Sequence, residues 1–155
     1  MSDPRWLTAA EQRAWRALLA MQQLLFETID AQLQREAEMP HGYYEILVRL
    51  SEAPGRSLRM RDLAAASSSS RSRLSHAVAR LEERGWVRRR CHETDRRGQV
   101  AELTDVGFAA LAAAAPGHVE QVRAALLDPL TPEQVSQLET ISRAVVDGLE
   151  TGQPA

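Results

Sequence analysis

The sequence predicts a mainly α-helical fold with one small β-hairpin. Apolar residues recur every three or four positions over long stretches, the spacing of a one-sided helix. Two of those stretches open with a complete helix-start signature. Between them, residues 86–104 break the helical pattern, with two short extended runs around a polar Thr-Asp-Arg-Arg tip.

The first helix comes from "LTAAEQRAWRALLAMQQLLFETIDAQLQRE". It opens with a capping box, in which Thr8 accepts from the backbone near Glu11 and Glu11 reaches back to Thr8. Leu18, Met21, Leu25, Ile29 and Leu33 then form a stripe over roughly residues 8–37. So long a stripe is not covered by a small domain of its own, and a partner subunit is expected over part of it. After a Pro-His-Gly break, Tyr43, Ile46, Leu47 and Leu50 form a second stripe that Pro54-Gly55 ends. "SLRMRDLAAASSSS" reads as a short extended piece and a small helix from Met60 to Ala66. The serines Ser67 to Ser70 make a turn, and Ser70 or Ser69 caps the helix "RSRLSHAVARLEERG". In that helix Leu74, Ala77, Val78 and Leu81 face inward, and Gly85 suits the position just past its end. "WVRRRCHE" and "GQVAELT" then flank "TDRR" as strand, turn and strand. A helix starts at Thr104, with a kink or break expected at Pro116-Gly117. The last helix has Thr131 as cap, Pro132 first and Gln134 third, with Val135, Leu138, Ile141, Val145 and Leu149 on its apolar face.

The 155 residues suit one domain or two small lobes, and 44% hydrophobic residues are enough for a core. The net charge of -2 hides a split. From Arg56 to Arg97 there are 12 arginines against 5 acids, net +7; elsewhere 7 arginines face 16 acids, net -9. A local field of that kind matters more for binding a polyanion than the overall charge does. The single cysteine, Cys91, excludes an intramolecular disulfide. No apolar run reaches membrane-spanning length and "MSDPRWLTAAEQ" lacks the pattern of a secretory signal, so a cytoplasmic protein without a membrane partner is expected.

Two helices around a Ser-rich turn, the second feeding a basic hairpin, form a winged helix-turn-helix. The major groove of DNA admits a helix whose N-terminal residues read base edges. Here the outward positions are Ser70, Arg71, Ser72, Arg73, Ser75 and His76, with Arg80 a turn further on. Arginine takes guanine bidentately, and hydroxyls near a helix N-terminus favour phosphate. At the hairpin tip, a narrow minor groove would draw Arg97, Asp95 could fix its guanidinium, and Arg96 adds a cation for phosphate.

These residues also resemble the MarR (multiple antibiotic resistance regulator) family. The pattern D-x-R-x5-L-T-x-x-G is met by Asp95, Arg97, Leu103, Thr104 and Gly107, and R-L-E-x-x-G by Arg80, Leu81, Glu82 and Gly85. The resemblance covers nearly the whole chain in element order. It implies a winged helix-turn-helix DNA-binding lobe at residues 39–104 and a helical dimerisation lobe from residues 1–38 and 105–155. It implies a wing over the minor groove, with Arg97 entering or bordering it and Asp95 holding the turn. The function it implies is a homodimeric transcriptional regulator, more often a repressor, on a palindromic operator. Ligands of such proteins, often small aromatics, bind between the two lobes, where Trp15, His41 and Tyr44 are the candidates. The alternative is a winged-helix adaptor whose basic wing meets an acidic protein.

Other features point elsewhere only weakly. Cys91 lies between Arg90 and His92, and a buried or incidental thiol is expected rather than a redox sensor. His41, His76, His92 and His118 lack metal-ligand spacing, so no metal is expected. No nucleophile with a positioned base, phosphate loop or carboxylate pair is in view, so neither an enzyme nor a cofactor is expected.

Overall fold

A computed structural model describes residues 4–67, 70–91 and 98–152 of the chain. Helix α1 (Ala9–Ala37) is followed by α2 (His41–Glu52), a single 3-10 turn (Pro54–Arg56), strand β1 (Ser57–Arg59), α3 (Met60–Ala66) and α4 (Arg71–Glu83). Strands β2 (Val87–Cys91) and β3 (Gln99–Leu103) lead into α5 (Asp105–Val122), a π-helical turn (Arg123–Leu127) and α6 (Pro132–Glu150).

The helix starts follow the side-chain chemistry. Thr8 Oγ1 accepts from the Glu11 N–H at 3.2 Å, and the Glu11 carboxylate accepts from the Thr8 N–H at 2.7 Å. At α6, Thr131 and Gln134 make the same reciprocal pair at 3.2 and 2.9 Å. Each cap satisfies backbone N–H groups that a helix start leaves open, worth about 1 kcal/mol. The expected stripe of α1 divides in two. Ile29 and Leu33 are buried, whereas Leu18 and Met21 are exposed. No residue of α6 is buried, and Ile141, Val145 and Leu149 face solvent.

The core lies where the middle elements meet. Leu33 of α1, Leu47 and Leu50 of α2, Leu63 of α3, and Leu74, Val78 and Leu81 of α4 are shut from solvent with Ala101 and Leu103 of β3. Helix α5 packs along α1 and also against α2.

The expected hairpin and the expected extended piece at Ser57–Arg59 combine in a three-stranded antiparallel sheet in the order β1-β3-β2, with Leu58 opposite Ala101. One expectation is corrected. No break occurs at Pro116-Gly117, since α5 runs through both residues. Proline removes one N–H there, yet the helix continues, packed along α1. Gly117 is what allows the approach, because a Cβ would lie 2.6 Å from Glu36 Oε2 and 3.0 Å from Gln32 Nε2. The irregularity comes later, in the π turn, where the Asp128 N–H donates to the Arg123 carbonyl at 2.8 Å.

Candidate nucleic-acid interface

The apolar side of α4 fixes what its other side presents. Leu74, Val78 and Leu81 are buried at helical spacing, so Arg71, Ser72, Arg73, Ser75 and His76 are left exposed in its first two turns. Ser70 is the N-cap, and its hydroxyl accepts from the Arg73 N–H at 3.3 Å. Among the described residues, no carboxylate within ion-pair distance holds Arg71 or Arg73. Arg80 is exposed too, but its guanidinium is drawn to Glu83 at 2.8 Å.

The end of α4 explains the R-L-E-x-x-G pattern. Gly85 takes φ 71°, a left-handed conformation in which a Cβ is strained. Glu82 turns back to β2, accepting from the Arg89 backbone N–H at 2.8 Å and from Arg89 Nε at 2.6 Å. This half-buried pair locks the orientation of α4 to the sheet. The L-T-x-x-G pattern is the other half of the same joint. Thr104 caps α5 by accepting from the Gly107 N–H at 3.0 Å, and its hydroxyl donates to the Gly85 carbonyl at 2.6 Å. The Thr104 N–H meets the Trp86 carbonyl at 3.0 Å. A Cβ on Gly107 would run into that same carbonyl oxygen.

Strand β2 carries its arginines in a restrained form. Arg88 and Arg90 both bond Glu102 on β3, at 2.6 and 2.9 Å. Arg88 and then Arg90 hold the Glu102 carboxyl below the usual carboxylate range. The hairpin tip, with Asp95, Arg96 and Arg97, lies outside the described residues.

A groove of about 520 Å³ runs between α4 and the sheet, lined by Arg59, Met60, Arg61, Arg71, Leu74, Ser75, Gly98 and Gln99. Arg59 and Arg61 were not singled out from the sequence. Their signal was their membership of the basic window; the extended piece and small helix that carry them were expected, but not that these elements line a groove with α4.

The expected effector residues separate. His41 and Tyr44 line a cleft of about 290 Å³ with Glu45, Val48, Arg49, Glu52 and His118. Trp15 is not among the lining residues; it is exposed higher on α1. His118 comes from α5, its ring 4.3 Å from that of Tyr44 and 6.1 Å from that of His41, which in turn meets Phe26 edge-on at 5.5 Å. Burial, aided by His41, pushes the His118 pKa down, and burial pushes Tyr44 up. His118 Nδ1 is buried with no hydrogen-bond partner. Among the described residues no group of three or more His, Cys, Asp or Glu is arranged to hold a metal. Cys91 is an exposed free thiol. No helix among them is long and apolar enough to cross a membrane.

Comparison with known proteins agrees with this geometry. Residues 38–98 match the model of the MarR family. A MarR family transcriptional regulator from Streptomyces coelicolor, solved in complex with DNA, is 54% identical and superposes with a TM-score of 0.92 over 100% of this chain and 95% of that one. The HTH-type transcriptional regulator PecS of Dickeya dadantii is 39% identical over 70 residues, which span 45% of this chain and 42% of that protein. The transcriptional repressor MprA of Escherichia coli (strain K12) is 27% identical over 87% of this chain and 76% of its own length. On this likeness over nearly the full length of both chains, the chain belongs to the MarR family of transcriptional regulators.

Proposed function

We propose that the chain is a sequence-specific DNA-binding repressor that works as a homodimer on a palindromic operator. The observation that carries this reading is the exposed start of α4. There two arginines that make no ion pair among the described residues stand among Ser70, Ser72, Ser75 and His76 on a helix whose other face is locked into the core. A helix so presented fits the major groove, with arginine on guanine and hydroxyls on phosphate. Arg59 and Arg61 extend the positive surface toward the sheet. Asp95, Arg96 and Arg97 complete it in this proposal, at the minor groove. The DNA complex of the S. coelicolor relative supports the partner class, and the name of the E. coli relative supports repression.

The division of labour follows from the surface. Residues 39–104 form the DNA-reading lobe. Residues 1–38 and 105–155 form the dimerisation lobe, supported by the uncovered apolar residues Leu18, Met21 and Leu24 on α1 and Ile141, Val145 and Leu149 on α6. Apolar surface of that extent on two long helices fits a second copy of the chain. A two-fold pair sets two recognition helices one turn of DNA apart. A small aromatic effector would enter the cleft at His41, Tyr44 and His118, between the two lobes, and change the spacing of the recognition helices.

The test is selection of bound fragments from random duplex by the full-length protein, with its mass measured by sedimentation. A dimer enriching an inverted repeat, with half-site centres about 10 bp apart, is the expected result. A monomer, or no enriched sequence, contradicts the proposal; the latter with retention of an acidic protein would favour an adaptor.

A further inference from the structure

Arg84 belongs to the basic window by sequence but stands apart from the arginines that start α4. It is the C-cap of that helix, about 20 Å from Arg71 at 1.5 Å per residue. Its Nη1 donates to the main-chain carbonyl of Glu38 at 2.9 Å, and its guanidinium lies 4.8 Å from the centre of the Trp86 ring. Glu38 is the C-cap of α1. One side chain therefore ties the end of α4 to the end of α1. Both anchors are held in place. Glu38 takes φ 50° and ψ 34°, a left-handed conformation uncommon outside glycine. Its N–H bonds the Leu33 carbonyl, as does that of Met39 at 3.2 Å, and Met39 is buried in the core. A carbonyl at a helix end lacks an intrahelical partner, and the helix dipole favours a cation there. On the other side, the Trp86 N–H donates to the Leu81 carbonyl at 2.9 Å and the Trp86 carbonyl accepts from Thr104 at 3.0 Å.

The rest of the packing shows what this bond adds. Helix α1 packs along α5 and against α2, whereas α4 packs against β2, α3 and α2. The Glu82–Arg89 pair locks α4 to the sheet, so α4 and the sheet move as one unit. Arg84 ties that unit directly to α1, the helix whose uncovered Leu18, Met21 and Leu24 face a second copy in the function proposed above. We propose that Arg84 is a positioning residue that fixes α4 on α1 and so sets the spacing of the two recognition helices in the dimer. This inference rests on the homodimeric DNA-reading function. Without the tie, the dimer samples a wider range of spacings, and the preorganised match to one operator is lost. The charge of Arg84 is spent on a carbonyl and an indole at the far end of α4, and not on phosphate.

The test compares full-length wild type with Arg84→Ala, a change at an exposed side chain that leaves the core intact. Three duplexes are used: the inverted repeat selected by the wild-type protein, the same repeat with one base pair inserted between the half-sites, and a single half-site. Wild type should prefer the selected spacing over the lengthened one. Arg84→Ala should bind the selected repeat about fivefold more weakly, the lower end of coupling between linked sites. Its preference between the two spacings should narrow by the same factor. Its affinity for the single half-site, and the salt slope of that affinity, should stay as in wild type. A spacing preference undiminished in Arg84→Ala overturns this inference and leaves the DNA-reading function standing. So does an equal loss on all three duplexes with a salt slope reduced by about one, which would make Arg84 a phosphate contact. A wild-type protein indifferent to spacing overturns the dimeric reading and this inference together.

Discussion

Gly107 is a residue whose identity the neighbouring backbone dictates. A Cβ there would meet the Trp86 carbonyl oxygen and lie 2.8 Å from Leu103 Cδ1. Backbone cannot swing aside as a long side chain can, so Gly107→Ala should destabilise the fold by about 1–3 kcal/mol, the usual range for overpacking. Urea unfolding checks it; an unchanged midpoint would mean that β3 and α5 are not joined as described. His118 gives the residue-scale pH dependence. Its folded pKa is lowered by burial and by His41, so the unfolded chain binds the proton more readily. The resulting stability is present above the unfolded pKa of about 6.5 and is lost as pH falls below it. Thermal unfolding should therefore show a fall in Tm between neutral and mildly acid pH that is smaller in His118→Phe. Parallel pH profiles would contradict the buried position of that ring.

At the scale of elements, Thr104 joins three of them: it caps α5, bonds the carbonyl of Gly85 after α4, and sits at the end of β3. Thr104→Ala removes the hydroxyl's bonds to the Gly85 and Trp86 carbonyls and to the Gly107 N–H, and should cost about 1–2 kcal/mol, the upper range for a lost N-cap. Thr104→Ser, which keeps the hydroxyl, should recover most of it in the same unfolding measurement. Elements whose determinants are local were legible in the sequence. The starts of α1 and α6 are written in Thr8 with Glu11 and Thr131 with Gln134, and α4 in Ser70 and Gly85. What was left open depends on partners far along the chain. The pairing of Ser57–Arg59 with β3 is tertiary, and α5 continues through Pro116 while it packs along α1, with Gly117 close to Gln32 and Glu36. The site divides in the same way. The outward face of α4 follows from its own periodicity. The link of Glu82 to Arg89, the approach of Arg59 and Arg61 to Arg71, and the meeting of His41 with His118 across α2 and α5 are tertiary, and no spacing announces them.

For the whole molecule, the separation of charge is the organising feature. Residues 56–97 carry net +7, and among the described residues the arginines of this window lie mostly on α4 and β2, while the rest of the chain is acidic and leaves apolar residues of α1 and α6 uncovered. In the described part of that basic region, Arg88, Arg89 and Arg90 are committed to Glu102 and Glu82, and Arg80 to Glu83. Among the described residues, Arg71 and Arg73 make no ion pair. The most direct measurement is therefore fluorescence anisotropy of the full-length protein on duplex from its own upstream region and on scrambled duplex, at two salt concentrations. Wild type should prefer the upstream duplex and lose affinity steeply with salt. Arg73→Ala and Arg97→Ala should each weaken the preferred site by about 1–3 kcal/mol. Equal, salt-insensitive binding to both duplexes, unchanged by either substitution, would contradict the account of α4 and the wing as a DNA-reading surface.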